Sequence, residues 1–177
     1  MRAERHDAGG GWSCSVDVGR TLICAGVPVA PSVLLFGCRN RGGDFLYESE
    51  WAEAEKAGVL KLYTAFSRDQ TNKVYVQHVL AQEGAVLLDL LDRGGVIYLC
   101  GYWLAPKGPK LHESCAYPSA YSEFLCVLHS ASKQMPKDVK AAIATLLAQR
   151  LGDDQAAGEA ALAELTKQGR FQEECWG

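Results

Sequence analysis

In the stretch 65–78 the chain sets Ser67, Arg68, Lys73 and Tyr75 close together. A hydroxyl, a guanidinium, an ammonium and a phenol are all hydrogen-bond donors, and two of them carry positive charge at neutral pH. That set suits a phosphate monoester, because the cations supply charge-assisted bonds that a bare hydroxyl on the ligand cannot attract. The apolar run 60–65 leads in as a strand, and helical spacing follows Lys73. An anion at that junction is expected to meet free backbone N–H groups and the positive end of a helix dipole. On these residues alone a capped helix start with a solvated basic face stays open as the alternative.

Other reactive groups carry weaker signals. Cys100-Gly101 closes an apolar run, but a glycine after a buried strand is common and a buried thiol is usually inert. His112-x-x-Cys115 and Cys126-x-x-His129 offer four zinc-capable side chains in two pairs. Their surroundings lack a zinc-finger pattern, so no metal site is assigned. There is no Gly-x-Ser-x-Gly elbow, and no Gly-x-Gly-x-x-Gly follows a first strand.

The elements that must position these groups alternate. Ser32-Val33-Leu34-Leu35-Phe36-Gly37, residues 60–65 and Val96-Ile97-Tyr98-Leu99-Cys100-Gly101 read as strands buried on both faces. Between them, residues 47–56 form an expected helix anchored by Trp51, and 73–91 a helical region broken near Gly84. Farther on, Val139, Ala142, Ile143, Leu146 and Leu147 recur at helical spacing behind Pro136, and a second helix is expected over 153–168. Alternation of this kind predicts an α/β fold, a Rossmann-like parallel sheet with helices on both faces. Ligands of such sheets gather at the carboxyl ends of the strands, where Cys38-Arg39, Ser67-Arg68 and Cys100-Gly101 all fall. Residues 1–31 are an uncertain segment, and one domain is expected over 32–177. An insertion at 102–129 holds Pro106, Pro109, Pro118 and an apolar patch at 124–128.

Composition narrows the class. At 177 residues, 48% hydrophobic and 22% charged, the chain suits a single soluble domain. A net charge of -3 argues against a general nucleic-acid binder. No window reaches the ~20 apolar residues a membrane span needs, and the charged start is no signal peptide. Seven scattered cysteines, an odd number, fit reduced thiols. A cytoplasmic location, without nucleic-acid or membrane partners, is therefore expected.

Several motifs, taken in order, resemble one family. They are Leu35-Phe36-Gly37-Cys38-Arg39, Ala65-Phe66-Ser67-Arg68-Asp69-Gln70, Lys73-Val74-Tyr75-Val76-Gln77-His78, residues 97–101, Met135-Pro136-Lys137-Asp138-Val139 and the final residues 171–176. They resemble the carboxyl-terminal NADP-binding module of the diflavin reductases, the ferredoxin–NADP reductase-like family that includes cytochrome P450 reductase. Within it they look most like the NADPH-dependent diflavin oxidoreductases that feed cytosolic iron–sulfur cluster assembly.

The resemblance implies that Ser67, Arg68, Lys73 and Tyr75 hold the 2′-phosphate of NADPH, with Gln77 nearby. Cys38 and Arg39 would line the dinucleotide groove, and Met135 and Asp138 would sit by the ribose and adenine. It implies that Cys100 stands beside the nicotinamide and that Glu174 stabilises charge developing there. Trp176 would stack on the flavin and move aside for the nicotinamide. The implied activity is hydride transfer from NADPH to FAD, then electron transfer through FMN to an iron–sulfur acceptor protein. The flavin domains of the parent reductase would be partners. Relatives place a strand and a glycine-rich pyrophosphate loop before the position of Ser32, and residues 1–31 display neither, so the domain is expected to be N-terminally truncated. The segment 102–129 separates Cys100-Gly101 from Ser130 to Pro136, which follow almost directly in relatives. Without its flavin domains the chain is not expected to turn over NADPH. The rival is an inactive or non-enzymatic module whose insertion binds a partner or zinc.

Overall fold

A computed structural model describes residues 32–45, 47–102, 124–129 and 134–176. The three apolar runs are strands β1 (Ser32–Cys38), β2 (Leu60–Phe66) and β3 (Val96–Tyr102), each one residue longer than expected. In β1 the side chains divide between two clusters. Val33 and Leu35 join the larger core, while Leu34 and Phe36 pack with Trp51 on the opposite face. A strand apolar on both sides must lie inside a layered sheet, and β1 does.

Two further strands complete the sheet. β4 (Phe124–His129) comes from the apolar patch of the segment read as an insertion, and β5 (Phe171–Trp176) from the tail. The order is β2-β1-β4-β3-β5, and every pairing is parallel. β4 pairs with β1 on one side and β3 on the other, with Val127 opposite both Leu34 and Tyr98. It thereby satisfies the backbone donors and acceptors that the facing edges of β1 and β3 present.

Helices cover both faces. On one face α1 (Arg41–Asp44), a single turn, leads to α2 (Glu48–Lys56), whose only buried residue is Trp51. On the other lie α3 (Val76–Gln82), α4 (Gly84–Asp92) and α5 (Met135–Arg150). They bring Val76, Leu80, Leu87, Leu90, Val139 and Ile143 into the larger core. The expected long helix over 73–91 starts late and breaks at Glu83. Gly84 stands at the break, where a Cβ would meet the end of the Leu146 side chain at 2.3 Å, so α4 begins hard against α5 and a larger residue would have to push Leu146 aside.

α6 (Gln155–Lys167) starts where Asp154 accepts from the N–H groups of Ala156 and Ala157 at 2.9 and 3.2 Å. It packs on α5 through Gly158, whose missing Cβ leaves room for the Ala144 carbonyl, 2.2 Å from where that carbon would stand. Arg170 then donates to the carbonyls of Leu91 at 2.5 Å and Gly95 at 3.0 Å, tying the end of α4 to the start of β5. Among the described residues no helix is long and apolar enough to cross a membrane.

Candidate functional site

Parallel strands put their carboxyl ends on one edge, and the loops after β1 and β2 meet there. The Ser67 N–H donates to the Cys38 carbonyl at 2.9 Å, and the Arg68 N–H to the Arg39 carbonyl at 2.8 Å. Asp69 accepts from Asn40 Nδ2 and from the Arg41 N–H, both at 2.9 Å. The Ser67 hydroxyl lies 3.4 Å from the Cys38 carbonyl. These bonds prolong the β1–β2 ladder beyond the strands.

They also correct one expectation. The N–H groups of Ser67 and Arg68 are not free for an anion, because the prolonged ladder uses them. Nor does a helix begin beside them: α3 starts only at Val76, and the Tyr75 N–H ahead of it donates to His78 Nδ1 at 3.3 Å. Recognition at this edge therefore falls to side chains.

Four cations crowd the two loops, in two different states. Arg39 is held by Asp44 through two bonds of 3.0 and 3.1 Å. That pairing pulls the Asp44 carboxyl below its ordinary range and pushes the guanidinium up. Arg41 pairs with Glu48 and lies over the rings of Phe45 and Phe66, 5.9 and 6.0 Å from their centroids. Arg68 and Lys73 are exposed, and neither forms an ion pair among the described residues. Tyr75, 37% exposed, tilts against the His78 ring at 5.6 Å.

Cys38 donates weakly to the Asn40 carbonyl at 3.6 Å. Its thiol is pushed up to about 11, by burial first and then by the charges of Asp44 and Asp69. At neutral pH it is a protonated, poorly nucleophilic group, suited to lining a groove.

Behind the loops, Gln77 Nε2 donates to Asp138 Oδ2 at 3.3 Å and Gln134 Nε2 to Asp138 Oδ1 at 3.2 Å, which joins α3 to the start of α5. Gln77 Oε1 is buried without a hydrogen-bond partner. Met135 is 3% exposed within the larger core, so its side chain packs inward.

Farther along the edge, Cys100 is half-buried on β3, with Glu174 beside it in register on β5 and Trp176 beside Tyr102. Between β2 and β3 lie three strand spacings, roughly 14 Å. One ligand can touch Arg68 and Cys100 together only by lying extended across the sheet edge.

Reading the sequence missed Asp44 and Asp69. The available signal was an Asp following Ser67-Arg68 in a polar turn, a residue type that accepts from nearby backbone. His112 and Cys115 lie outside the described residues, while Cys126 and His129 are on β4. Among the described residues no group of three or more His, Cys, Asp or Glu could hold a metal.

Comparison with known proteins agrees with this architecture. The family model described as an oxidoreductase NAD-binding domain matches residues 8–105. Over 146 residues the chain is 36% identical to NADPH-dependent diflavin oxidoreductase 1 of Bos taurus, covering 82% of this chain and 20% of the relative. The protein of that name from Schizosaccharomyces pombe is 32% identical over 146 residues, with the same coverage of 82% and 20%. The NADPH–cytochrome P450 reductase of Aspergillus fumigatus is 32% identical over 157 residues, 88% of this chain and 18% of the relative. The chain thus spans about a fifth of the length of these relatives.

Proposed function

The chain belongs to the family of oxidoreductase NAD-binding domains, and from that premise we propose that it binds NADPH as the nucleotide module of a diflavin reductase. The observation that carries the reading is the pair of exposed cations, Arg68 and Lys73, that have no acid partner among the described residues, beside a half-buried Ser67 and an exposed Tyr75. That donor set fits a phosphate dianion: two charges to meet two charges, plus neutral donors for the remaining oxygens. Two charge-assisted bonds at about 1.5 kcal/mol each favour NADPH over NADH by roughly a hundredfold.

In this reading Arg68 and Lys73 fix the 2′-phosphate, and Ser67 and Tyr75 orient it. Cys38 and Arg39 line the groove, and Gln77, Asp138 and the helix start at Met135 border the adenosine side. Cys100 stands beside the nicotinamide, Glu174 offsets charge that develops there, and Trp176 covers the ring's place until it enters. The nicotinamide, when bound, supplies a hydride; the protein's part is position and electrostatics. In the parent reductase the electrons pass to FAD, then FMN, then a protein acceptor in cytosolic iron–sulfur cluster assembly. The NADPH-to-flavin part of that route is supported by the diflavin oxidoreductase relatives, and the iron–sulfur acceptor by the resemblance of the motifs alone.

Calorimetric titration of the chain with 2′-phospho-AMP, with AMP as control, tests the assignment. Preferential binding of the 2′-phosphorylated nucleotide is expected, and equal affinity for the two would refute it.

A further inference from the structure

Asp69 sits next to Arg68 in sequence, yet its carboxylate turns to the other loop. One oxygen accepts from the Asn40 side chain and the other from the Arg41 N–H, each at 2.9 Å, across 29 and 28 positions of chain. Together with the bonds from Ser67 N–H to the Cys38 carbonyl and from Arg68 N–H to the Arg39 carbonyl, this forms four links between the two loops. Three consecutive residues, Ser67 to Asp69, are thereby fastened to the loop after β1.

We propose that Asp69 is a positioning residue for phosphate recognition, holding the β2 loop to the β1 loop so that Ser67 and Arg68 face the ligand. The inference rests on the reading of Ser67, Arg68 and Lys73 as the phosphate pocket. Two physical consequences follow from the geometry. Bound on both oxygens, Asp69 has its charge met by donors from the β1 loop and forms no ion pair with Arg68. Released, the same carboxylate would compete with the phosphate for the neighbouring guanidinium. It would also let residues 67 and 68 move, and bonds to an anion depend on donors held in place before it arrives.

The 177-residue chain is titrated with 2′-phospho-AMP and with AMP, as wild type, Asp69→Ala, Asn40→Ala and the double variant. Asp69→Ala is expected to weaken 2′-phospho-AMP about tenfold while AMP changes less than about twofold, so the selectivity falls without general loss of binding. Asn40→Ala, which removes one of the two bonds, is expected to fall between, and the double variant to be no worse than Asp69→Ala. Unchanged selectivity in Asp69→Ala overturns the proposal, as does equal weakening of both nucleotides. Should Asp69→Ala fail to fold by circular dichroism, Asn40→Ala decides on the same criterion. A wild-type chain that does not prefer 2′-phospho-AMP refutes the phosphate pocket itself, a result distinct from a preference that survives in Asp69→Ala.

Discussion

The loops that follow β1 and β2 both carry cations, and they use them in opposite ways. After β1, Arg39 is fixed to Asp44 and Arg41 to Glu48, so that each charge is met within its own loop and helix. After β2, Arg68 and Lys73 have no acid partner among the described residues. A paired guanidinium must give up its carboxylate before it can gain a phosphate, so it contributes little net affinity. An unpaired one already on the surface has only water to lose. In the proposed function the first loop is therefore a built platform and the second the gripping surface it supports.

The sharpest break of that contrast is the pair Arg68→Ala and Lys73→Ala together. Affinity for 2′-phospho-AMP should fall roughly a hundredfold in calorimetry, with the melting temperature unmoved. On the platform side, Arg41→Ala removes a cation stacked over Phe45 and Phe66. A scanning calorimeter should register a drop of about 2–4 °C, with nucleotide selectivity intact. Asp44→Asn releases Arg39 and should strengthen 2′-phospho-AMP by at most about threefold; a gain as large as the loss from Arg68→Ala would erase the distinction between the loops.

The smallest effect concerns Cys38. Its folded value, about 11, lies above the ordinary thiol value of 9.0, so the thiolate appears only as pH rises toward 11. Alkylation of the Cys38 peptide, followed by mass spectrometry, should stay slow through pH 9 and climb above it. A midpoint at or below 9 would contradict the burial and the acidic neighbours assigned to it.

Much of this arrangement was legible before the structure. β1 and β3 announce themselves as nearly unbroken apolar runs, whereas β2, expected to be buried on both faces, lies at the sheet edge with only Ala65 buried and with Lys61 and Thr64 interrupting its run. Trp51 marked its helix, and Gly84 marked the break between α3 and α4. The tail was not legible as a strand. Phe171 is buried while Gln172 and Glu173 after it are both exposed, so the start of this edge strand has no alternation to read. β4 was visible as an apolar patch, but local pattern carries no information about partners, and its place between β1 and β3 is a fact of topology.

The residues singled out at the strand ends do lie along one edge of the sheet. Hydrogen bonding there was not foreseeable, because whether the N–H groups of Ser67 and Arg68 are free depends on what the β1 loop offers them 29 positions away. The same ignorance hid the roles of Asp44 and Asp69. Sequence lists the charges, and only the fold says which of them are already spoken for.

The contrast between the loops is tested most directly by one ratio, the affinity for NADPH over that for NADH, measured from nicotinamide fluorescence in wild type, Arg39→Ala and Arg68→Ala. The preference should fall about tenfold in Arg68→Ala and stand nearly unchanged in Arg39→Ala. A preference undiminished by loss of Arg68 but lost with Arg39 would contradict the account.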